Sequence, residues 1–389
     1  MASQDSERAE TPRLLLLLPP LPQADDADVI TSIYGITIRD TLKEVLQSFK
    51  SFVLEIAVAY PQSTKSRESL GQYAEIQRYV SRAYGLVCAI AAQHNFDIDG
   101  RDGVDVRILL VAWDAQGTGT YSAPGDTSSI ITSIDHLALS PRQWRYVFAI
   151  EDDTGLAMVK AFVKAEDRKS EDSPAAEPSQ APSAGITQPT PCVAVGGTFD
   201  HLHIGHKLLL TMTVFAAEDQ RPGSAKRTAI IGITGDELLK NKKYADHLES
   251  WDQRQQGVVE FVSALIDFGK QPPTTQEVNE AGPNGHAVNT TFANGLTLRC
   301  VEISDAFGPT IAERDIQSLV ISAETRSGGK AVNDKRTEQG WEPLTVLEVD
   351  VLQASESVRE ATGGEDFADK ISSTQIRKKL SEKKGGPHM

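Results

Sequence analysis

Two kinds of apolar spacing alternate along this chain, and their order predicts its architecture. Leu14 to Leu18 is a short, unbroken apolar run that reads as a buried strand. From Asp40 the spacing turns helical, with Leu42, Val45, Leu46, Phe49, Phe52 and Val53 on one face. Leu70, Tyr73, Val80, Ala83, Tyr84 and Val87 repeat that spacing and predict a second helix from Arg67 to His94. Val104 to Trp113, rich in branched apolar residues, reads as a central strand, and 144–150 and 155–164 as further elements. Strands alternating with helices predict a small α/β domain over 13–165, behind a polar tail at 1–12. Residues 166–190 are dominated by Pro, Ser, Ala and charge, with almost nothing to bury, and predict a flexible linker.

The alternation then resumes over 191–382, followed by a tail at 383–389. Strands are expected at 192–196, 227–233, 296–303, 318–322 and 343–350. Helices are expected at 205–218, 251–268, near 310–316, at 328–339 and from 373. The polar, Gly- and Asn-rich stretch 269–295 reads as an exposed loop. Five such strands with right-handed crossovers predict an open parallel Rossmann-like sheet with helices on both faces, whose ligands bind at the carboxyl ends of its strands.

Composition narrows the partners. A chain of 389 residues with 40% hydrophobic content has room for two or three folded units. A net charge of −15 argues against a nucleic-acid backbone or an anionic membrane as the main partner. Cys88, Cys192 and Cys300 show no ligand spacing and suit a reducing compartment. The leucine run is too short to span a bilayer, and Asp5, Glu7 and Glu10 precede it where a leader peptide is basic. A cytoplasmic location is expected, with the nucleus also open.

The chemistry concentrates where the first strand of the second unit ends. Val193 to Val195 run through Gly196 and Gly197 to Thr198, Phe199, Asp200 and His201, then to His203, Gly205 and His206 at the head of an apolar helix. A strand, a glycine turn and a helix start bring backbone N–H groups and the positive end of the helix dipole to one point, where a phosphate binds.

Gly197-Thr-Phe-Asp200 followed by His203-x-Gly-His206 resembles the signature of the HxGH nucleotidyltransferases. Ile371-Ser-Ser-Thr-Gln-Ile-Arg377 matches that superfamily's second signature, ISSTxxR. Within it, Asp305 to Thr310 (DAFGPT) and Ile321 to Thr325 (ISAET) are most similar to phosphopantetheine adenylyltransferase of the eukaryotic type. The resemblance covers about 190–382. It implies adenylyl transfer from ATP, carried with Mg2+, to 4′-phosphopantetheine, giving dephospho-coenzyme A and pyrophosphate by direct in-line attack. It also implies an ATP site of Gly197, Phe199, His203, Gly205, His206, Ser372, Ser373, Thr374 and Arg377. His206, Thr198 and a lysine of the 240–243 cluster, best matched by Lys242, would be catalytic. Thr198, Lys242, Phe307, Ser322 and Arg326 would hold the acceptor, with Lys330 and Arg336 as further candidates for its phosphate. Such a transfer needs positioned donors and cations more than a strong base, because the nucleophile is already an anion.

Other readings compete for the same residues. His203 and His206 could ligate zinc, but no third ligand is spaced to join them, and no resident metal is expected. Asp97-x-Asp99-Gly100 fails the later positions of a calcium loop, and Gly117 to Ser129 carries no fingerprint spacing. Another HxGH transferase, acting with CTP or on nicotinamide mononucleotide, is the alternative enzyme; a catalytically weak nucleotide-binding scaffold is the alternative class. No GxxxxGK[ST] phosphate loop is found, so a dephospho-coenzyme A kinase is expected on a separate protein.

Overall fold

A computed structural model of the chain describes residues 11–22, 27–60, 69–98, 103–115, 130–168, 191–217, 227–350 and 372–384. The first half forms β1 (Arg13–Leu18), α1 (Ala27–Ser48), β2 (Phe52–Tyr60), α2 (Ser69–His94), β3 (Val104–Ala112), β4 (Ile131–Ser133), α3 (Ile134–Leu139), β5 (Tyr146–Ala149) and α4 (Asp153–Asp167). Its sheet is five-stranded, in the order β4-β3-β2-β1-β5, and every pair is parallel.

Three sequence expectations change here. Phe52 and Val53 do not extend a helical face; they open β2, a strand buried at every position. A strand buried on both faces is one continuous apolar run, and its first residues happened to fall at helical spacing after Phe49. The preceding helix begins at Ala27, well before Asp40. The helix α4 also continues through Asp167, past the start expected for the linker. Asp99, Gly100, Gly117 to Ser129 and the remainder of 166–190 from 169 onward lie outside the described residues.

The second half forms β6 (Cys192–Gly197), α5 (Ile204–Ala216), β7 (Arg227–Thr234), α6 (Trp251–Ile266), β8 (Thr274–Asn279), β9 (His286–Thr291), β10 (Leu296–Ile303), β11 (Ser318–Ser322), α7 (Arg326–Glu338), β12 (Thr345–Val349) and α8 (Ser373–Lys384). Its sheet has the order β12-β11-β6-β7-β10-β9-β8. The five strands expected from the pattern are its parallel part. Numbered among themselves they stand in the Rossmann order 3-2-1-4-5, with the reversal between β6 and β11. The stretch 269–295 is not a loop: β8 and β9 form a hairpin that extends the sheet antiparallel to β10. Its Thr and Val residues suit a half-exposed edge, where polar composition alone suggests a loop.

The two sheets share one hydrophobic core. Helices α5 and α6 lie on one face of the second sheet; α5 also packs on α2, and α6 on β3. Accordingly α5 is apolar almost all round, with Ile204, Leu208, Leu210, Met212 and Val214 all buried. The opposite face of that sheet is covered by a smaller cluster that includes Ile230, Val301, Ile321 and, from α7, Val332. Among the described residues, no helix is long and apolar enough to cross a membrane.

Candidate active site

The chain leaves β6 at the switch point of the sheet and turns sharply before α5. Phe199 and His201 both take left-handed backbone angles, φ 52° and 46°. Such conformations cost about 1–3 kcal/mol each outside glycine and persist where the surroundings fix them. Here they are fixed. Phe199 is fully buried, and a side chain at Gly197 would meet its ring at 3.0 Å. The His201 N–H donates to Glu249 Oε2 at 2.8 Å, and its ring Nε2 lies 2.8 Å from the His247 carbonyl.

His203 is the N-cap residue of α5, and its ring stacks on that of His206 with centroids 3.9 Å apart. Gly205 makes this possible, because any Cβ there would stand 3.2 Å from the His203 ring. Both Nδ1 atoms are enclosed without a partner, which leaves Nε2 as the ring nitrogen not sealed off. Burial holds both imidazoles neutral: His206 is pushed down to about 3, and His203 falls well below its ordinary value. A neutral ring at the start of a helix can donate one hydrogen bond without carrying a charge. The Thr198 hydroxyl, half-buried in the turn before α5, has no hydrogen-bond partner among the described residues.

The second motif meets the first. Asp200, fully buried, accepts from Arg377 Nη1 at 2.5 Å and from the Glu249 N–H at 3.0 Å. Ser373 Oγ donates to the Asp200 carbonyl at 2.8 Å. The starts of α5 and α8 are thereby strapped together although their residues are 173 to 177 apart in sequence. Arg377 is itself buried; it also donates to the Lys243 carbonyl and to Thr374 Oγ1. Its donors, read from the sequence as reaching for phosphate, are occupied by the protein. Ser372 Oγ accepts from the Gln375 N–H, so the Ser-Ser-Thr hydroxyls all serve the strap or the cap. What α8 leaves for a ligand is the N–H groups of Ser373 and Thr374, which precede the first internal bonds of the helix, made by Gln375 and Ile376 to the Ser372 carbonyl.

Between β7 and α6 lies the lysine loop. Lys240 pairs with Glu237 at 2.5 Å, whereas the exposed ammonium groups of Lys242 and Lys243 have no partner among the described residues. Beneath this loop is a residue that the sequence did not single out. Arg254, 1% exposed, donates to the Glu249 and Thr198 carbonyls at 3.0 and 2.7 Å and to Asp236 Oδ1 at 2.5 Å. It pins the first motif, the lysine loop and α6 to one another. Its only sequence signal was one cation among the polar positions of a helix, which reads as a solvated face.

Comparison with known proteins follows this geometry. A family model described as a domain of unknown function (DUF8446) matches residues 1–188. An uncharacterised protein of Schizosaccharomyces pombe is 33% identical over 189 residues, 49% of this chain and 48% of that protein. A protein of Saccharomyces cerevisiae named phosphopantetheine adenylyltransferase is 35% identical over 187 residues, 48% of each. The chain thus spans about half the length of these two curated relatives. A protein of the same name from Pyrococcus abyssi is 30% identical over 195 residues, half of this chain but 94% of that protein. The chain belongs to the phosphopantetheine adenylyltransferase family. A solved structure of a protein of unknown function from Archaeoglobus fulgidus is 24% identical, covers 41% of this chain and 97% of its own, and superposes with a TM-score of 0.28.

Against the phosphopantetheine adenylyltransferase pattern, the acceptor-side expectations divide. Arg336 is excluded as a phosphate ligand. It is buried, and its guanidinium donates to the carbonyls of Thr310, Glu313, Arg314, Ile316 and Glu342. Arg326 is exposed at the carboxyl end of β11 and is held in a two-pronged pair by Glu348. Lys330 is exposed and pairs with Asp334 on its own helix. Ser322 stands at the end of β11 in a capping box with Thr325. Phe307 packs half-buried against the smaller cluster. Phe199, being enclosed, can offer a ligand only its main chain. The hairpin tip is the second feature missed from sequence. Asn284 donates to Asp305 Oδ2 at 3.2 Å and accepts from the Ser304 N–H at 3.0 Å, bracing the Asp305–Thr310 turn. Among the described residues no group of three or more His, Cys, Asp or Glu is arranged to hold a metal ion.

Proposed function

We propose that this protein transfers the adenylyl group of ATP to 4′-phosphopantetheine, yielding dephospho-coenzyme A and pyrophosphate. One observation carries the reading: the Asp200–Arg377 strap sets the starts of α5 and α8 side by side at the switch point of a parallel sheet. Two helix N-termini converging at one place offer unpaired N–H groups and positive dipole ends, which suit a polyphosphate. ATP would enter as its magnesium complex, the ion travelling with the substrate.

In this reading the triphosphate lies along the two helix starts. The β- and γ-phosphates take the first-turn N–H groups of Ser373 and Thr374, and the α-phosphate lies under His206. The acceptor phosphate, an anion at neutral pH, approaches between the Thr198 hydroxyl and Lys242. One of its oxygens attacks the α-phosphorus in line, the α–β bridging bond breaks, and pyrophosphate leaves with that electron pair. No proton need be removed from the nucleophile, and no covalent enzyme intermediate forms. His206, held neutral, donates through Nε2 to an α-phosphate oxygen as charge grows there. Lys242 neutralises the repulsion between the two anions. Arg377 acts through Asp200 as a strut, and exposed Arg326 is the acceptor-side cation that a phosphate can win from Glu348. Positioned donors of this kind are worth about a hundred- to a thousand-fold in rate each.

The test is pyrophosphate release from ATP, magnesium and 4′-phosphopantetheine, run beside CTP with phosphocholine and ATP with nicotinamide mononucleotide. Release confined to the first mixture supports the reading. Release only in another mixture transfers the assignment to that reaction, and binding of ATP without release in any mixture leaves a nucleotide-binding scaffold.

A further inference from the structure

The first half of the chain matches a domain to which no role is attached, yet it reaches the residue beside His206. Lys207 is 2% exposed and directs its ammonium away from the candidate site, into the first sheet. There it donates to Asp105 Oδ1 at 2.5 Å and to the Val106 carbonyl at 2.9 Å, both on β3. Asp105 is shared: its Oδ2 accepts from Arg107 Nη2 at 2.6 Å and Nε at 2.9 Å. Arg107 in turn donates to the Glu260 carbonyl of α6. From the same half, Arg142 donates to the Ala264 and Asp267 carbonyls at the end of α6 while pairing with buried Glu55. A small cavity behind the glycine turn, bounded by Asp105, Arg107, His201, Lys207, Glu249 and Arg254, marks where these groups converge.

We infer that the amino-terminal half is a positioning element for the transferase site, acting through the Asp105–Lys207 contact to fix the first turn of α5. The reasoning is geometric. The residues before α5 are in strained left-handed conformations, and the N-cap His203 forms no side-chain hydrogen bond to its helix. The turn before α5 is held by Glu249, His247 and the strap, so the helix start lacks only a side-chain cap, and its orientation is completed by what grips it from behind. Lys207 is the polar grip next to His206, and its counter-charge comes from the other half of the chain. A buried ammonium paired with a partly buried carboxylate at such an interface is weak evidence of net stability, but the pair specifies one orientation, because a shift leaves the buried charge unpaired. The carboxylate of Asp105 is held well below its usual range despite burial, with Lys207 the largest opposing influence and Arg107 next.

This inference rests on the function proposed above, so its test has one readout that needs activity and one that does not. In the full chain, Lys207→Met keeps the volume, and Asp105 keeps Arg107 as counter-ion, so no charge is stranded. The expected result is turnover lowered by about ten- to a hundred-fold with both KM values within about twofold, the pattern of misplacement rather than lost binding. Hydrogen exchange over residues 198–208 should quicken by at least about tenfold, while the β8–β9 hairpin is unchanged. Asp105→Glu, which retains the charge, should recover more of the turnover than Asp105→Asn. Unchanged exchange at 198–208 in Lys207→Met would overturn the inference whatever the activity. So would exchange that quickens equally across the chain. If wild-type protein releases no pyrophosphate, the proposed function fails on that arm, and the exchange arm still decides whether this half positions α5.

Discussion

Replacing Arg377 with methionine should separate the two halves of the candidate site, and the structure says by how much. Arg377 and Asp200 are 2% and 0% exposed and 2.5 Å apart. In Arg377→Met the carboxylate stays buried and keeps the Glu249 N–H as its close donor. Removing one partner of a buried pair costs about 3–5 kcal/mol, because the other is left uncompensated. For a domain stable by about 5–15 kcal/mol that is a large fraction, and equilibrium urea denaturation would read it as a lowered midpoint. The strap argument makes a second, sharper demand. In the double variant Asp200→Asn/Arg377→Met the stranded charge is gone, so most of the stability should return. Activity should not return, because only the Ser373 hydroxyl on the residue-200 carbonyl then ties α8 to the first motif; kcat/KM should stay about a hundred- to a thousand-fold below wild type. Steady-state pyrophosphate release measures it. Refutation would be a single variant with an unshifted midpoint, or a double variant that recovers turnover together with stability.

Four further outcomes can be checked independently. His206→Ala should lower kcat by about a hundred- to a thousand-fold with KM for ATP less affected, measured in the same assay. Because burial depresses His203 and His206 below the value of an unfolded histidine, the unfolded chain binds their protons first as the pH falls. Stability should therefore drop below about pH 6.5, by at most ~1.4 kcal/mol per pH unit for each ring, and His206→Gln should flatten that slope in urea titrations at pH 7 and pH 5. Arg254→Met, which removes the guanidinium from Asp236 and from the Glu249 and Thr198 carbonyls, should cost about 3 kcal/mol in the same titration. Asn284→Gly keeps the left-handed turn (φ 60°) but loses both braces on the Asp305–Thr310 loop. It should raise KM for phosphopantetheine about tenfold while leaving KM for ATP unchanged; an equal rise in both would place the hairpin elsewhere in the mechanism.

Local chemistry by itself determined the parallel part of the second sheet, the glycine turn into α5 and the helix start at Ser373. Each depends on spacing within a few residues: branched apolar runs, glycines where rings need room, and hydroxyls at a helix start. It also pointed to the glycine turn as a place for a phosphate, whereas the Ser372–Arg377 motif was picked out by its resemblance to a family signature. Which atoms remain free for a ligand was a tertiary matter. Arg377, Ser373 and Arg336 have the residue types of phosphate ligands, but the fold occupies their donors, while Lys242 and the Thr198 hydroxyl are left open. The hairpin at 274–291 needed a neighbouring strand to exist at all, since half-exposed threonines pair only when β10 supplies the ladder. The buried clamps Arg254, Asp105 and Lys207 were invisible for the same reason. A charged side chain is recognised as structural only when its partner, brought from 18 to 102 residues away, is known.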